Sequence, residues 1–126
     1  MSTETSANVQ FSPLLEQYFE AVNKRDLDAI LSKLSFPLRL INGPSERVLD
    51  YDAVKADYQS HWDDVNFTTV TIKELEDLPA PEKGARVVLH DVGRKMIMTV
   101  NYEYELAEDG EWKHVCHRVI ALETVA

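Results

Sequence analysis

The stretch QYFEAVNKRDLDAILSKL, Gln17 to Leu34, constrains the fold of this chain more than any other. Leu14, Leu15, Tyr18, Phe19 and Val22 recur at helical spacing on one face. Ser12-Pro13 supplies a helix start, a capping hydroxyl followed by proline at the first helical position. Asn23-Lys24-Arg25 closes this helix. Asp26 caps a second one, with Leu27, Ile30, Leu31 and Leu34 as its buried stripe, and Phe36-Pro37 breaks it. A tyrosine on the apolar face of the first helix can project into a pocket, which singles out Tyr18.

Beyond this helical hairpin, Leu38 to Ile41 reads as a short strand closed by the turn signal Asn42-Gly43-Pro44. A third helix starts near Asp50, with Tyr51, Val54, Tyr58 and His61 or Trp62 as its apolar stripe. After Asp63-Asp64 the period changes from helical to two. Asn66–Glu76, Ala85–Val92, Met96–Ala107 and Trp112–Leu122 read as strands, with turns at Gly93-Arg94-Lys95 and Glu108-Asp109-Gly110. Helices first and then a run of antiparallel strands predict one α+β domain over residues 1–126. Its helices pack on one face of a curved, mainly antiparallel sheet, and residues 1–11 form a tail.

Charge and composition narrow the partners. The formal net charge is −9 and the basic residues are scattered, so neither nucleic acid nor an anionic membrane is an expected partner. No apolar run approaches the roughly 20 residues of a membrane span. The polar start MSTETSANVQ lacks a signal-peptide pattern, and the single Cys116 suits a reducing compartment, so the expected location is the cytoplasm. No glycine-rich phosphate loop, G-x-S-x-G elbow or H-E-x-x-H pair occurs.

The order of elements, the helical hairpin with its N-x-x-D-L-D-A turn and the strand–turn–strand containing G-E-W-K resemble the nuclear transport factor 2-like (NTF2-like) superfamily. That superfamily includes ketosteroid isomerases, SnoaL-like polyketide cyclases and scytalone dehydratase. The resemblance runs from Leu14 to Leu122 and implies a cystatin-like cone, three helices wrapped by a bent sheet, with the ligand site at its open end. It also implies a homodimer through the outer face of the sheet. EQYFEAVNKRDLDAIL is similar to the first two helices of ketosteroid isomerase, and Tyr18 falls where its oxyanion-hole tyrosine lies. Tyr58 falls near a pocket tyrosine of the third helix. GRKMIMTVNYEYEL resembles the strand with the isomerase's protonated aspartic acid, where this chain has Tyr102. The isomerase's base comes from the strand after the second helix. The matching Leu40-Ile41-Asn42-Gly43 has no carboxylate, and asparagine cannot take up a proton usefully at neutral pH.

On the last strand, Trp112, His114, Cys116, Arg118 and Ile120 share one face by alternation, and Lys113, Val115, His117, Val119 and Ala121 share the other. The family comparison puts the first set inside the cone. His114 is then the available base, while Arg118 can hold a ligand's acidic group or pair with an acidic neighbour. His114 and His117, three apart, are expected on opposite faces and so form no metal site, and no cofactor is expected. The expected catalytic set is Tyr18, Tyr102 and His114. The expected ligand contacts are Asn42, Tyr58, Trp62, Met98, Cys116 and Arg118, around a small apolar or cyclic organic molecule. Two functions stand side by side: a cofactor-free isomerase, cyclase or dehydratase, and a non-catalytic ligand- or partner-binding protein on the same fold.

Overall fold

The structure, a computed structural model, describes residues 10–125. Helices α1 (Ser12–Lys24) and α2 (Leu27–Ser32) lead into strands β1 (Leu34–Asn42) and β2 (Ser45–Leu49). Helix α3 (Tyr51–Asp63) follows, and then strands β3 (Val70–Asp77), β4 (Gly84–Asp91), β5 (Met96–Leu106) and β6 (Trp112–Thr124). The six strands form one sheet in the order β2-β1-β6-β5-β4-β3. Only the β1–β6 pairing is parallel.

Two helix starts follow local chemistry: the Asp26 carboxylate accepts from the Ala29 N–H at 3.2 Å, and Asp50 from the Ala53 N–H at 2.8 Å. The start of α1 does not. Ser12 is already helical, Phe11 holds the capping position, and no side-chain cap is present there. Asp77 at the end of β3 takes over the role. It accepts from the backbone N–H of Phe11 at 2.8 Å and of Ser12 at 2.9 Å, and from the Ser12 hydroxyl. Burial pushes the Asp77 carboxyl up, but these hydrogen bonds outweigh it and hold the group below its ordinary value. Phe11, expected in the tail, is instead buried and packs edge-on against Trp112 with ring centroids 5.2 Å apart. Asp77→Ala is expected to cost about 1–2 kcal/mol, since the carboxylate is exposed and the helix keeps its other anchors. An unchanged urea midpoint would show that Ser12-Pro13 starts the helix unaided.

At its other end α1 turns back at Arg25, whose φ is 56°. The Asn23 side chain then pairs with β3 as a peptide group would: its Nδ2 donates to the Val70 carbonyl at 2.8 Å and its Oδ1 accepts from the Val70 N–H at 2.9 Å. Helix α1 therefore lies across β3 and β4. Fully buried Leu15, Ile30, Val54 and Val87 tie the helices to the sheet.

The first strand differs from expectation. It begins at Leu34 and runs through Phe36-Pro37. Pro37 has no N–H to give the ladder, and β1 slips against β6 between Leu34 and Arg39. Gly43, with φ 59°, then opens a two-residue turn into β2, a strand that the sequence does not announce. Strand β3 starts later than expected, at Val70. Extra residues bulge the sheet at Lys73, Val115 and Ile120, and such bulges add twist and re-aim side chains.

Candidate functional site

The bulge at Val115 decides what faces the interior. Tyr104 pairs with His114, Glu103 with Cys116 and Tyr102 with His117. Directly paired residues share a face, so His114 and His117 both point inward with Tyr104 and Tyr102. Cys116 and Arg118, expected inside the cone, face outward with Glu103 and Asn101. Strict alternation misplaces them because the extra residue resets the phase. Arg118 Nε donates to the Glu103 carboxylate at 3.0 Å. Cys116 is buried under these outer side chains, and burial and Glu103 push its thiol up, which makes it a poor nucleophile.

The inward residues form an aromatic cluster. The Tyr18 ring lies 4.6 Å from His114 and 5.9 Å from Tyr102, Tyr102 lies 4.4 Å from His117, and Tyr104 lies 4.5 Å from His114. His114 Nδ1 and His117 Nε2 are 3.0 Å apart. One of these nitrogens must carry the hydrogen and the other accept it, so the contact suits two neutral imidazoles. Burial holds both rings in that form. His117 is pushed down to about 3, and His114 goes well below its ordinary value through burial and then through His117 and Lys33. Sharing a face does not make the pair a metal centre, because no group of three or more metal-binding side chains occurs among the described residues.

Two adjoining cavity lobes open between α1, α3 and the sheet, sharing Tyr18, Tyr58, His61 and Tyr102 as lining residues. The first, about 170 Å³, is closed by Leu38, Leu40, Val54 and His117. The second, about 230 Å³, is walled by Leu89, Met96 and Met98 and ends on Asp91 and Arg94. Burial pushes the Tyr102 hydroxyl up, and burial and then the nearby Tyr102 push Tyr58 well above its ordinary value, so both remain neutral donors. His114 and Tyr104 instead line a separate, more polar cleft of about 300 Å³ beside Lys33 and Trp112.

Tyr18, Tyr58, Tyr102 and Met98 thus meet at one cavity. His114 is a neighbour of that cavity and not part of its lining. The Trp62 ring lies 5.7 Å from Tyr58, tilted against it and outside both linings, and its indole Nε1 is buried without a partner among the described residues. Asn42 is exposed at the end of β1, away from both lobes. Several lining groups escape the sequence reading, His117, Asp91, Arg94 and Asp57 among them. His117 is hidden by the bulge, which no glycine or proline announces. Asp91 carries a legible signal: it continues the alternation Ala85, Val87, Leu89 of β4, all buried, into a carboxylate.

No family model matches the chain, and no curated protein matches it in sequence. Solved structures do. A protein of unknown function with a cystatin-like fold from Nostoc punctiforme is 9% identical, with a TM-score of 0.62 over 85% of this chain and 84% of its own. An NTF2-like protein of unknown function from Shewanella oneidensis is 22% identical, with a TM-score of 0.57 over 94% and 98%. A protein proposed to be a ketosteroid isomerase, from Shewanella frigidimarina, is 13% identical, with a TM-score of 0.65 over 85% and 91%. The fold is the NTF2-like, cystatin-like α+β fold, with helices packed against a curved, open mixed sheet. At these identities the likeness describes the fold and not an activity. Among the described residues no helix is long and apolar enough to cross a membrane.

Proposed function

We propose that this protein binds a small, mostly apolar ketone in the two-lobed cavity. One observation carries the reading: Tyr58 and Tyr102, both held neutral, line the junction of two lobes with otherwise largely apolar walls. Neutral phenols in a largely apolar pocket donate to a carbonyl oxygen at little desolvation cost, whereas an anion there would lose much of its hydration.

A second reading, a cofactor-free isomerase, cyclase or dehydratase, draws on a different feature. His117 lines the first lobe and is hydrogen-bonded to His114, so a proton taken up on one imidazole can be shared with the other. The depressed basicity of the pair makes it a weak base, which ranks this reading second.

One titration tests both. Acetophenone added to the full chain in deuterated water is expected to shift the methyl resonances of Met96 and Met98. Tyr102→Phe is expected to weaken binding about fivefold, the worth of one neutral hydrogen bond. Equal affinity in the variant overturns the assigned donor. Exchange of the ketone's α-hydrogens at the rate of buffer alone removes the catalytic reading.

A further inference from the structure

The second lobe ends on a carboxylate that the fold leaves short of partners. Asp91, the last residue of β4, is only 2% exposed and lines the cavity. Among the described residues it accepts one hydrogen bond, from the Arg94 backbone N–H at 3.3 Å. Arg94 Nε lies 3.9 Å from Asp91 Oδ2, beyond hydrogen-bond range, and that Nε is itself buried without a partner. The guanidinium is not free to close the gap. Its Nη2 donates to His61 Nδ1 at 3.0 Å and lies 3.3 Å from the Asp64 carboxylate, and its carbon sits 5.0 Å over the Phe67 ring.

An acceptor and a donor therefore stand side by side, both buried and both short of partners, which is costly unless a third group serves the two. A hydroxyl can do so with a single oxygen, donating its hydrogen to Asp91 and accepting from Arg94 Nε. A carboxylate would face Asp91 with like charge, and an ether would leave Asp91 unserved. Leu89, Met96 and Met98 between this end and the tyrosines suit an apolar ring. We propose that Asp91 and Arg94 form a hydroxyl-binding subsite and that the ligand is a hydroxylated cyclic or aromatic ketone. Its hydroxyl lies at Asp91 and Arg94, and its carbonyl oxygen lies at Tyr58 and Tyr102. This assignment rests on the ketone-binding reading of the cavity.

The test uses the full chain with methyl-labelled methionine, titrated with acetophenone, with meta- and para-hydroxyacetophenone, and with the corresponding methoxy ethers. The better hydroxy isomer is expected to bind about tenfold more tightly than acetophenone or its own ether, as befits a hydrogen bond to a buried charge. Asp91→Asn, which keeps the shape but removes the charge, is expected to reduce that preference to about threefold or less, with Met96 and Met98 still reporting entry. Equal binding of hydroxy and methoxy compounds with both methionines shifted overturns the subsite and leaves the cavity reading standing. So does a full hydroxyl preference in Asp91→Asn. Unshifted Met96 and Met98 with every ketone overturn the cavity reading and the subsite together.

Discussion

Acidification from pH 7 to about pH 5 is expected to remove about 2 kcal/mol of folding stability through His117 alone. In the folded chain its imidazole is pushed from 6.5 down to about 3. The unfolded chain therefore takes up the proton first. The stabilisation is complete above the ordinary imidazole value and drains away as the pH falls from there toward about 3. His114 acts in the same direction, as does His61, which is lowered by burial and then by Arg94. The first proton taken up by the His114–His117 pair goes to a ring nitrogen outside their contact and leaves the N–H···N hydrogen bond between them intact. A second would set two N–H groups against each other across 3.0 Å, so the pair titrates as a unit. Urea midpoints at the two pH values check this. His117→Gln is expected to lose less on acidification than the parent chain, and equal midpoints for the parent would contradict the buried neutral pair.

Leu15→Ala is expected to cost about 3 kcal/mol, the larger of these two effects. Leu15 is fully buried on the face of α1 that also carries Tyr18, Phe19 and Val22. A helix of 13 residues has little stability of its own, so its hold on the sheet is mostly this apolar face. The truncation leaves a cavity one turn from Tyr18 and should loosen the ring that separates the two-lobed cavity from His114. Leu15→Met, similar in volume, is expected to cost less than about 1.5 kcal/mol. A loss below about 1 kcal/mol for Leu15→Ala would mean that the Asp77 and Asn23 anchors, not the apolar face, hold the helix.

Helix α1, the caps Asp26 and Asp50, the long alternation of β5 and the turn at Gly110 are all legible because each rests on local chemistry: a period, a side-chain acceptor or a turn residue. Strand β2 is not. Ser45–Leu49 is an edge strand exposed along all but its last residue, so no alternation marks it. The α1 start is misread for a related reason: its acceptor, Asp77, lies 65 residues away from Ser12. Tyr18, Tyr58, Tyr102 and Met98 can be placed around one cavity because helix faces and an unbroken β5 carry their phase from the sequence. His117, Cys116 and Arg118 cannot, because one extra residue at Val115 inverts the phase from Cys116 to Val119, until the second bulge at Ile120 restores it.

The sequence by itself determined the α+β class, the order of the helices and most strands, and which residues of α1 and β5 turn inward. Those features follow from side-chain periods and local hydrogen-bond competition. Tertiary structure alone decided that two histidines share one hydrogen bond and that Asp77 caps a distant helix. It also placed a carboxylate and a guanidinium side by side at the end of the cavity, each short of a partner. Those outcomes depend on sheet register and on contacts between elements far apart in the chain, where a single bulge outweighs any local preference.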